Sequence, residues 1–77
     1  MQTQPAALTF VICIDNAEYA AALERRKIYQ VIPDATATLH GLVRVIDESG
    51  EDYLYPSAHF VPVDLPPSIQ AAILHAA

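Results

Sequence analysis

Four carboxylates crowd the segment DESGED at residues 47–52, where side chains that bind metals or transfer protons stand close together. A calcium loop needs oxygen ligands at alternating positions and a bidentate glutamate further along the chain. Asp47, Ser49 and Glu51 alternate, but Gly50 separates the last two and no glutamate follows at the required distance. General acid–base catalysis needs a concave pocket that shifts carboxyl pKa values, whereas a chain reversal is convex. The segment therefore predicts a β-hairpin tip whose charges lie mostly in solvent.

The histidines and the single cysteine are the other candidates for metal binding or nucleophilic catalysis. His40, His59 and His75 do not lie at ligand spacing with one another or with a cysteine. Cys13 stands in an apolar run, without the neighbouring histidine that a thiolate nucleophile needs. The sequence thus predicts no catalytic residue, no metal site and no cofactor, and we expect a protein without enzymatic activity.

The balance of charge bears on the class of partner. The net charge is -5 at pH 7, and only four residues are basic. Three of them, Arg25, Arg26 and Lys27, are contiguous. Nucleic-acid binding usually needs a broad basic face, so nucleic acid is not an expected partner. The basic run predicts a solvated loop, or else a contact for an acidic partner or for the chain's own carboxylates.

The composition indicates a folded chain in which some apolar surface remains exposed and available to a partner. Apolar residues make up 53% of the sequence and charged residues 17%, which argues against disorder. The apolar run at residues 8–14 is too short to span a membrane, and no basic leader precedes it. We expect one cytoplasmic domain, residues 1–77, without membrane contact.

Five segments rich in β-branched and aromatic residues must position these side chains, and each predicts a strand. The predicted strands are 8–14, 27–33, 42–47, 52–56 and 60–64. The acidic tip joins the third strand to the fourth. Tyr53 and Tyr55 share one face of the fourth strand, because side chains alternate along a strand.

The connections carry helix signals. Asp15 and Glu18 have the spacing of a capping box, which indicates either a short helix over about residues 17–24 or a long irregular loop with one helical turn. Asp34 is a candidate cap for another helical turn that closes at Gly41.

The last segment, 66–77, has a helical pattern. Ile69, Ala72, Ile73 and Ala76 fall on one helical face. We expect a C-terminal helix that begins near Pro67 and packs on the rest of the domain through the two isoleucines.

The order of these elements resembles the Src-homology-3 domain. The run LYPSAHFVPV at 54–63 is similar to the strand, proline, 3₁₀ turn and last strand that end that domain. Likewise ICIDN at 12–16 is similar to its Ala-Leu-Tyr-Asp-Tyr segment. The resemblance covers residues 8–64 and implies a five-stranded, partly open barrel. The segment DESGEDYLYP also resembles small bacterial proteins to which no activity attaches.

The resemblance completes the predicted core. It implies that Tyr55 is buried, while Tyr53 is left open between core and surface. The predicted core residues are Ile12, Leu23, Ile28, Val31, Val43, Val45, Tyr55, Phe60 and Ile69.

The resemblance also implies where a partner would bind, although the aromatic groove of the family is not retained. The chain has no tryptophan, and His59 replaces the tyrosine that follows the proline turn. Binding of proline-rich peptides is therefore not implied. A protein or peptide partner, or a second copy of the chain, is expected between the 15–26 loop and the proline turn, at Asp15, Asn16, Tyr19, Pro56 and His59. The alternative function is an accessory subunit of an enzyme or nucleic-acid complex, acting through residues 25–27.

Overall fold

β-Branched and aromatic side chains are concentrated in five short segments, and each forms a strand in the computed structural model of the chain. The structure describes residues 9–76. The strands are β1 (Thr9–Cys13), β2 (Ile28–Ile32), β3 (Leu42–Ile46), β4 (Asp52–Pro56) and β5 (Phe60–Val63). The helices are α1 (Ala35–Leu39) and α2 (Pro67–Leu74), and a 3₁₀ turn spans Ser57–His59. All five predicted strands are confirmed, each to within one residue at either end.

The strands form one antiparallel sheet in the order β4-β3-β2-β1-β5. β4 and β5 lie at its two edges, and no pairing among residues 9–76 joins them. The chain is therefore mainly β, with a short helix and a C-terminal helix. Because the sheet is not closed by strand pairing, the partly open barrel remains a prediction.

The acidic tip is the turn of the β3–β4 hairpin, as the sequence predicted. Val45 pairs with Tyr53 across the two strands. The Asp47 amide donates to the Glu51 carbonyl at 3.1 Å and closes the turn. Gly50 has a φ of 85°, in the left-handed region that glycine adopts without a steric penalty.

The predicted 3₁₀ turn after Pro56 is also confirmed, and it leads directly into β5. Ser57 fastens this turn to the connection between α1 and β3. Its amide and its hydroxyl both donate to the Gly41 carbonyl, at 2.9 and 3.0 Å.

The first loop, residues 14–27, is irregular, so the predicted helix over residues 17–24 does not form. Asp15 Oδ1 accepts a hydrogen bond from the Ala17 amide at 2.9 Å instead of capping a helix. Glu18 has a φ of 74°, which lies outside the right-handed helical region. One helical turn does form, with the Leu23 amide donating to the Tyr19 carbonyl at 2.9 Å. The second alternative, an irregular loop with one helical turn, is thus confirmed.

The short helix lies instead in the connection between β2 and β3, where Asp34 caps it as expected. Asp34 Oδ1 accepts from the Ala37 amide at 3.0 Å, which satisfies an exposed donor of the first turn. Gly41 follows the helix with a φ of 72° and turns the chain into β3.

One face of the sheet, together with the first loop, forms the hydrophobic core. The predicted core residues confirmed in this cluster are Leu23, Val31, Val45, Tyr55 and Phe60. Val43 was also predicted, and it packs against the cluster while staying partly exposed. Residues that the prediction omitted complete the cluster: Val11, Cys13 and Tyr29.

Ile12 and Ile28 face away from this cluster, so their predicted place in the core was wrong. Val11 pairs with Tyr29 on the core face, and Ile12 pairs with Ile28 one position further along. Alternation along the strands therefore sends the two isoleucines to the opposite face, where both are half-buried. Phe10 lies on that face too and is only 1% exposed.

The C-terminal helix forms where it was predicted, but none of its described residues is buried. Ile69 is 45% exposed, so its predicted place in the core was wrong, and Ile73 is half-buried. Helical spacing predicts that the apolar residues share a face, and only long-range packing decides whether that face is covered. Neither helix of residues 9–76 has the length and apolar character needed to cross a membrane.

Candidate functional site

Four of the five predicted partner-binding residues lie around the junction of the first loop and the 3₁₀ turn. The Tyr19 ring meets the Tyr55 ring edge to face, with centroids 5.0 Å apart and planes at 86°. It meets the His59 imidazole in the same manner, at 5.5 Å and 76°. Such contacts set the positive edge of one ring against the negative face of another. We call Asp15, Asn16, Tyr19 and His59, with Tyr55 beneath them, the aromatic surface.

Backbone hydrogen bonds join the first loop to the 3₁₀ turn and thereby position this surface. The amides of Ile14 and Asp15 both donate to the His59 carbonyl, at 2.8 and 3.3 Å. Asn16 Nδ2 donates to the Leu23 carbonyl at 3.0 Å across the loop. Since Leu23 is fully buried, it ties the loop to the core. Asn16 therefore shapes the loop from within.

Asp15 and His59 are the polar groups of the aromatic surface. Asp15 Oδ2 lies 3.5 Å from His59 Nδ1, and the two form an ion pair when the imidazole is protonated. The Asp15 side chain is 55% exposed. His59 Nδ1 is shielded from solvent and accepts or donates no hydrogen bond among residues 9–76, since 3.5 Å exceeds ordinary hydrogen-bond length. The surface thus has an accessible carboxylate beside an unsatisfied imidazole nitrogen.

Pro56 is the predicted partner-binding residue that lies apart. It pairs with Leu42 at the end of the β3–β4 hairpin, one position beyond the pair that contains Tyr55. Side chains alternate along β4, so Pro56 faces away from the Tyr55 ring. Its contribution is to begin the 3₁₀ turn, with a φ of -57° that its ring imposes.

Most charges of the acidic tip lie in solvent, as predicted, since Glu48, Glu51 and Asp52 are exposed, and Asp47 is the exception. Asp47 is only 6% exposed. Its carboxylate accepts hydrogen bonds from the Tyr55 hydroxyl at 2.5 Å, the Ser49 amide at 2.8 Å and the Ser49 hydroxyl at 2.6 Å. Burial alone would raise the pKa of Asp47, but the bonds from Ser49 and Tyr55 outweigh it and lower the pKa. Asp47 is therefore a buried carboxylate held ionised by neutral donors.

Glu48 clamps the hairpin tip to the first loop. Its amide donates to the Ala22 carbonyl at 3.0 Å. Its Oε2 accepts from Lys27 Nζ and from the Tyr29 hydroxyl, each at 2.6 Å. The Tyr29 oxygen in turn accepts from the Glu24 amide at 2.7 Å. The bond from Lys27, followed by that from Tyr29, lowers the pKa of Glu48.

The basic run is therefore divided in its roles. Lys27 contacts one of the chain's own carboxylates, as one alternative from the sequence foresaw. Arg25 and Arg26 are exposed and have no ion pair within residues 9–76. Two free arginines are a small basis for neutralising phosphates, so the geometry does not add to the nucleic-acid alternative.

An open cleft of about 440 Å³ lies between the first loop and the acidic tip. Ala21 and Ala22 form one wall, residues 47–49 form the tip side, and Tyr53 and Tyr55 line the rest. Tyr53 is 51% exposed, which places it at the surface. We call this the tip cleft. Sequence reasoning missed it because its walls come from segments far apart in the chain. The only local signal was that Tyr53 and Tyr55 share a strand face.

Cys13 lacks the environment of a reactive thiol. Cys13 is fully buried, and burial raises the pKa of its thiol, which favours the unreactive protonated form. No group of three or more histidine, cysteine, aspartate or glutamate side chains within residues 9–76 is arranged to hold a metal ion.

Comparison with known proteins gives no match from which the role of these residues could be inferred. No family model, no curated protein and no solved structure matches the chain.

Proposed function

We propose that this chain is a small, non-enzymatic interaction module that binds a peptide segment of a partner protein on the aromatic surface. The observation that carries the proposal is the packing of Tyr19 against both Tyr55 and His59, with the Asp15 carboxylate 3.5 Å from the imidazole. Aromatic rings supply apolar contact area with little loss of side-chain entropy, and tyrosine is enriched at binding surfaces. The exposed carboxylate supplies an acceptor for a backbone or side-chain N–H of the peptide.

We further propose that the sheet is the core of a Src-homology-3-like, partly open barrel. Two features support this view: the 3₁₀ turn that follows Pro56 and the long first loop fastened to that turn through the His59 carbonyl. Src-homology-3 domains bind peptides between the first long loop and the proline turn. The aromatic surface of this chain lies at the corresponding position. Without tryptophan, the surface offers less ring area than a polyproline site, and Asp15 with His59 gives it a more polar character.

Affinity capture with the full chain as bait tests the proposal. A first variant, Asp15→Asn with His59→Gln, changes the polar groups and keeps the side-chain sizes and the Asp15 hydrogen bond to the Ala17 amide. A second variant, Tyr19→Ala with His59→Ala, removes the rings. The matched control is Arg25→Ala with Arg26→Ala, two exposed residues of the same loop. Melting temperatures of all variants establish that each is folded.

The proposal expects a partner that both aromatic-surface variants lose and that the arginine variant retains. Direct titration of that partner with purified chain should then show the same ranking of affinities. Loss of the partner only in the arginine variant would refute the aromatic surface and favour the accessory-subunit alternative. If the species captured is the chain itself, the surface is a self-association site, which sedimentation would show as a mass that depends on concentration.

A further inference from the structure

The tip cleft carries negative charge that no cation of the described residues neutralises. Glu48 pairs with Lys27, and Asp52 pairs with Arg44 at 2.9 Å. Asp47 has no ion-pair partner within residues 9–76, although it lines the cleft and is almost fully buried. A buried carboxylate satisfied only by neutral donors keeps its negative charge, which attracts a cation in the adjacent cleft.

Glu51 adds a second carboxylate without a cationic partner in the described part of the chain. It is exposed, and its Oε1 accepts a hydrogen bond from the Tyr53 hydroxyl at 3.2 Å. Tyr53 lines the cleft, so this bond places the Glu51 carboxylate beside the hydroxyl of a lining residue. The cleft therefore has two carboxylates in its wall, the unpaired Asp47 and the Lys27-paired Glu48, and Glu51 lies beside the lining residue Tyr53.

The aromatic lining offers a ligand in the cleft a partly exposed ring. Tyr53 is 51% exposed, so part of its ring is open to a ligand, and its hydroxyl is held by Glu51. Ala21 and Ala22 on the other wall are too small to fill the space. A cation beside an aromatic ring is attracted by the ring's negative face, and a planar cation can also stack on it.

We propose that the tip cleft binds the guanidinium group of an arginine side chain presented by a partner polypeptide. A guanidinium is planar, weakly hydrated and carries five donors, which suits a site made of carboxylates beside a flat ring. The volume of about 440 Å³ holds a whole side chain rather than a bare ion. The net charge of -5 favours approach of a basic segment. This site is distinct from the aromatic surface, with which it shares only Tyr55.

Nuclear magnetic resonance titration of the full chain with a blocked Gly-Gly-Ser-Arg-Ser-Gly-Gly peptide tests the site. The matched probe replaces arginine by citrulline, which has the same shape and no charge. We expect saturable shifts at the amides of Ala21, Ala22, Ser49 and Tyr53, and a loss of at least about tenfold in affinity with citrulline. Equal binding of the two peptides, or no binding at millimolar peptide, would overturn the proposal.

Substitutions distinguish binding in the tip cleft from non-specific attraction to the net negative charge of the chain. Glu51→Gln and Tyr53→Leu should each weaken the arginine peptide about threefold. Asp64→Asn makes the same change in charge between β5 and α2, and it should leave affinity within error of the wild type. If Asp64→Asn weakens binding as much as Glu51→Gln, the peptide senses only net charge and the site is refuted.

Two further measurements establish which class of ligand binds and where it binds. Nα-acetyl-arginine amide, a small molecule with the same single charge, should bind more weakly than the peptide, because the polypeptide adds contacts outside the cleft. Equal affinity would overturn the assignment to a polypeptide. Shifts confined to Asp15, Tyr19 and His59 would refute the tip cleft and leave the proposed function of the aromatic surface standing.

Discussion

At the residue scale, Asp47 shows how a charge is kept inside a small domain without a salt bridge. Burying a carboxylate is unfavourable unless hydrogen bonds replace the lost water. Ser49 donates twice to Asp47 and Tyr55 once. Burial and the bond to Asp47 both raise the pKa of Tyr55, so the phenol stays protonated and remains a donor.

Removal of the Tyr55 hydroxyl should therefore destabilise the fold. Tyr55→Phe leaves the buried Asp47 carboxylate with one hydrogen bond fewer, and we expect a loss of about 1–3 kcal/mol in the free energy of unfolding. The matched control is Tyr53→Phe, which removes a hydroxyl at the exposed end of the same strand. Urea denaturation of both variants measures the difference. Equal stability of Tyr55→Phe and the wild type would mean that water replaces the lost bond.

The carboxylates of the tip should also make the fold sensitive to acid. Folding lowers the pKa values of Asp47 and Glu48, so their contribution to stability is complete above the unfolded carboxyl pKa and is lost as the pH falls through the folded values. We expect the urea concentration at the midpoint of unfolding to decrease as the pH is lowered below about 4. Glu48→Gln should flatten this fall, whereas Asp64→Asn should not. A midpoint that stays level or rises in acid would contradict the inferred network.

At the element scale, the first loop behaves as a folded part of the domain despite its lack of regular structure. Leu23 anchors it in the core, Asn16 bonds across it, and Glu48 reaches it from the hairpin tip. The loop is therefore held at one end by the 3₁₀ turn and at the other by the acidic tip. This double attachment positions the aromatic surface and the tip cleft on either side of the same segment.

Loss of the Leu23 anchor should weaken the whole fold. Leu23→Ala leaves a cavity in a fully buried site, and we expect a loss of about 2–5 kcal/mol in the free energy of unfolding. The control is Leu39→Ala in α1, where the side chain is 83% exposed. That substitution should change stability by less than about 0.5 kcal/mol. A loss at Leu23 no larger than the loss at Leu39 would show that the loop is not part of the core.

The C-terminal helix provides a second comparison within one element. Ile69 is 45% exposed and Ile73 is half-buried. Ile69→Ala should therefore change the free energy of unfolding by less than about 0.5 kcal/mol, and Ile73→Ala should cost more. Thermal unfolding of the two variants ranks them. The reverse order would mean that the Ile69 face is covered in solution, for example by a second copy of the chain.

At the scale of the whole molecule, ion pairs within the described residues join separate elements of the fold. Arg44 bridges Asp34 and Asp52, and Lys27 pairs with Glu48. These contacts tie α1, β4 and the first loop to the β3 region. Both carboxylate oxygens of Asp47 and Oε2 of Glu48 already accept hydrogen bonds from protein donors, which leaves these three atoms poorly arranged as ligands for a metal.

We therefore expect stability to be independent of divalent metals. Addition of calcium, magnesium or zinc at micromolar concentration to metal-free protein should leave the melting temperature unchanged, since a ligand stabilises only the state it binds. Differential scanning fluorimetry with and without a chelator measures this directly. A stabilisation of about 1–2 kcal/mol or more would mean that the acidic tip rearranges into a metal site.

The sequence by itself determined the elements and their local ends. Strand positions, the Asp34 cap and the hairpin at Ser49-Gly50 follow from interactions between residues a few positions apart. Sequence patterns predict such interactions because the interacting residues are close together in the chain. The same local rules also left the first loop open between two alternatives, since Asp15 can cap a helix or close a turn. The 3₁₀ turn after Pro56 was implied by the resemblance to the Src-homology-3 domain.

Only the tertiary structure decided which surfaces meet. The hydrogen bond from Tyr29 to Glu48 joins residues 19 positions apart, and no periodic pattern in the sequence predicts it. It is one of the contacts that hold the acidic tip against the first loop and shape the tip cleft. Long-range packing likewise buried Phe10, exposed Ile69 and left β4 and β5 unpaired with each other. The physical reason is that burial depends on what lies opposite a side chain in space, and a linear pattern specifies only which side chains share a face.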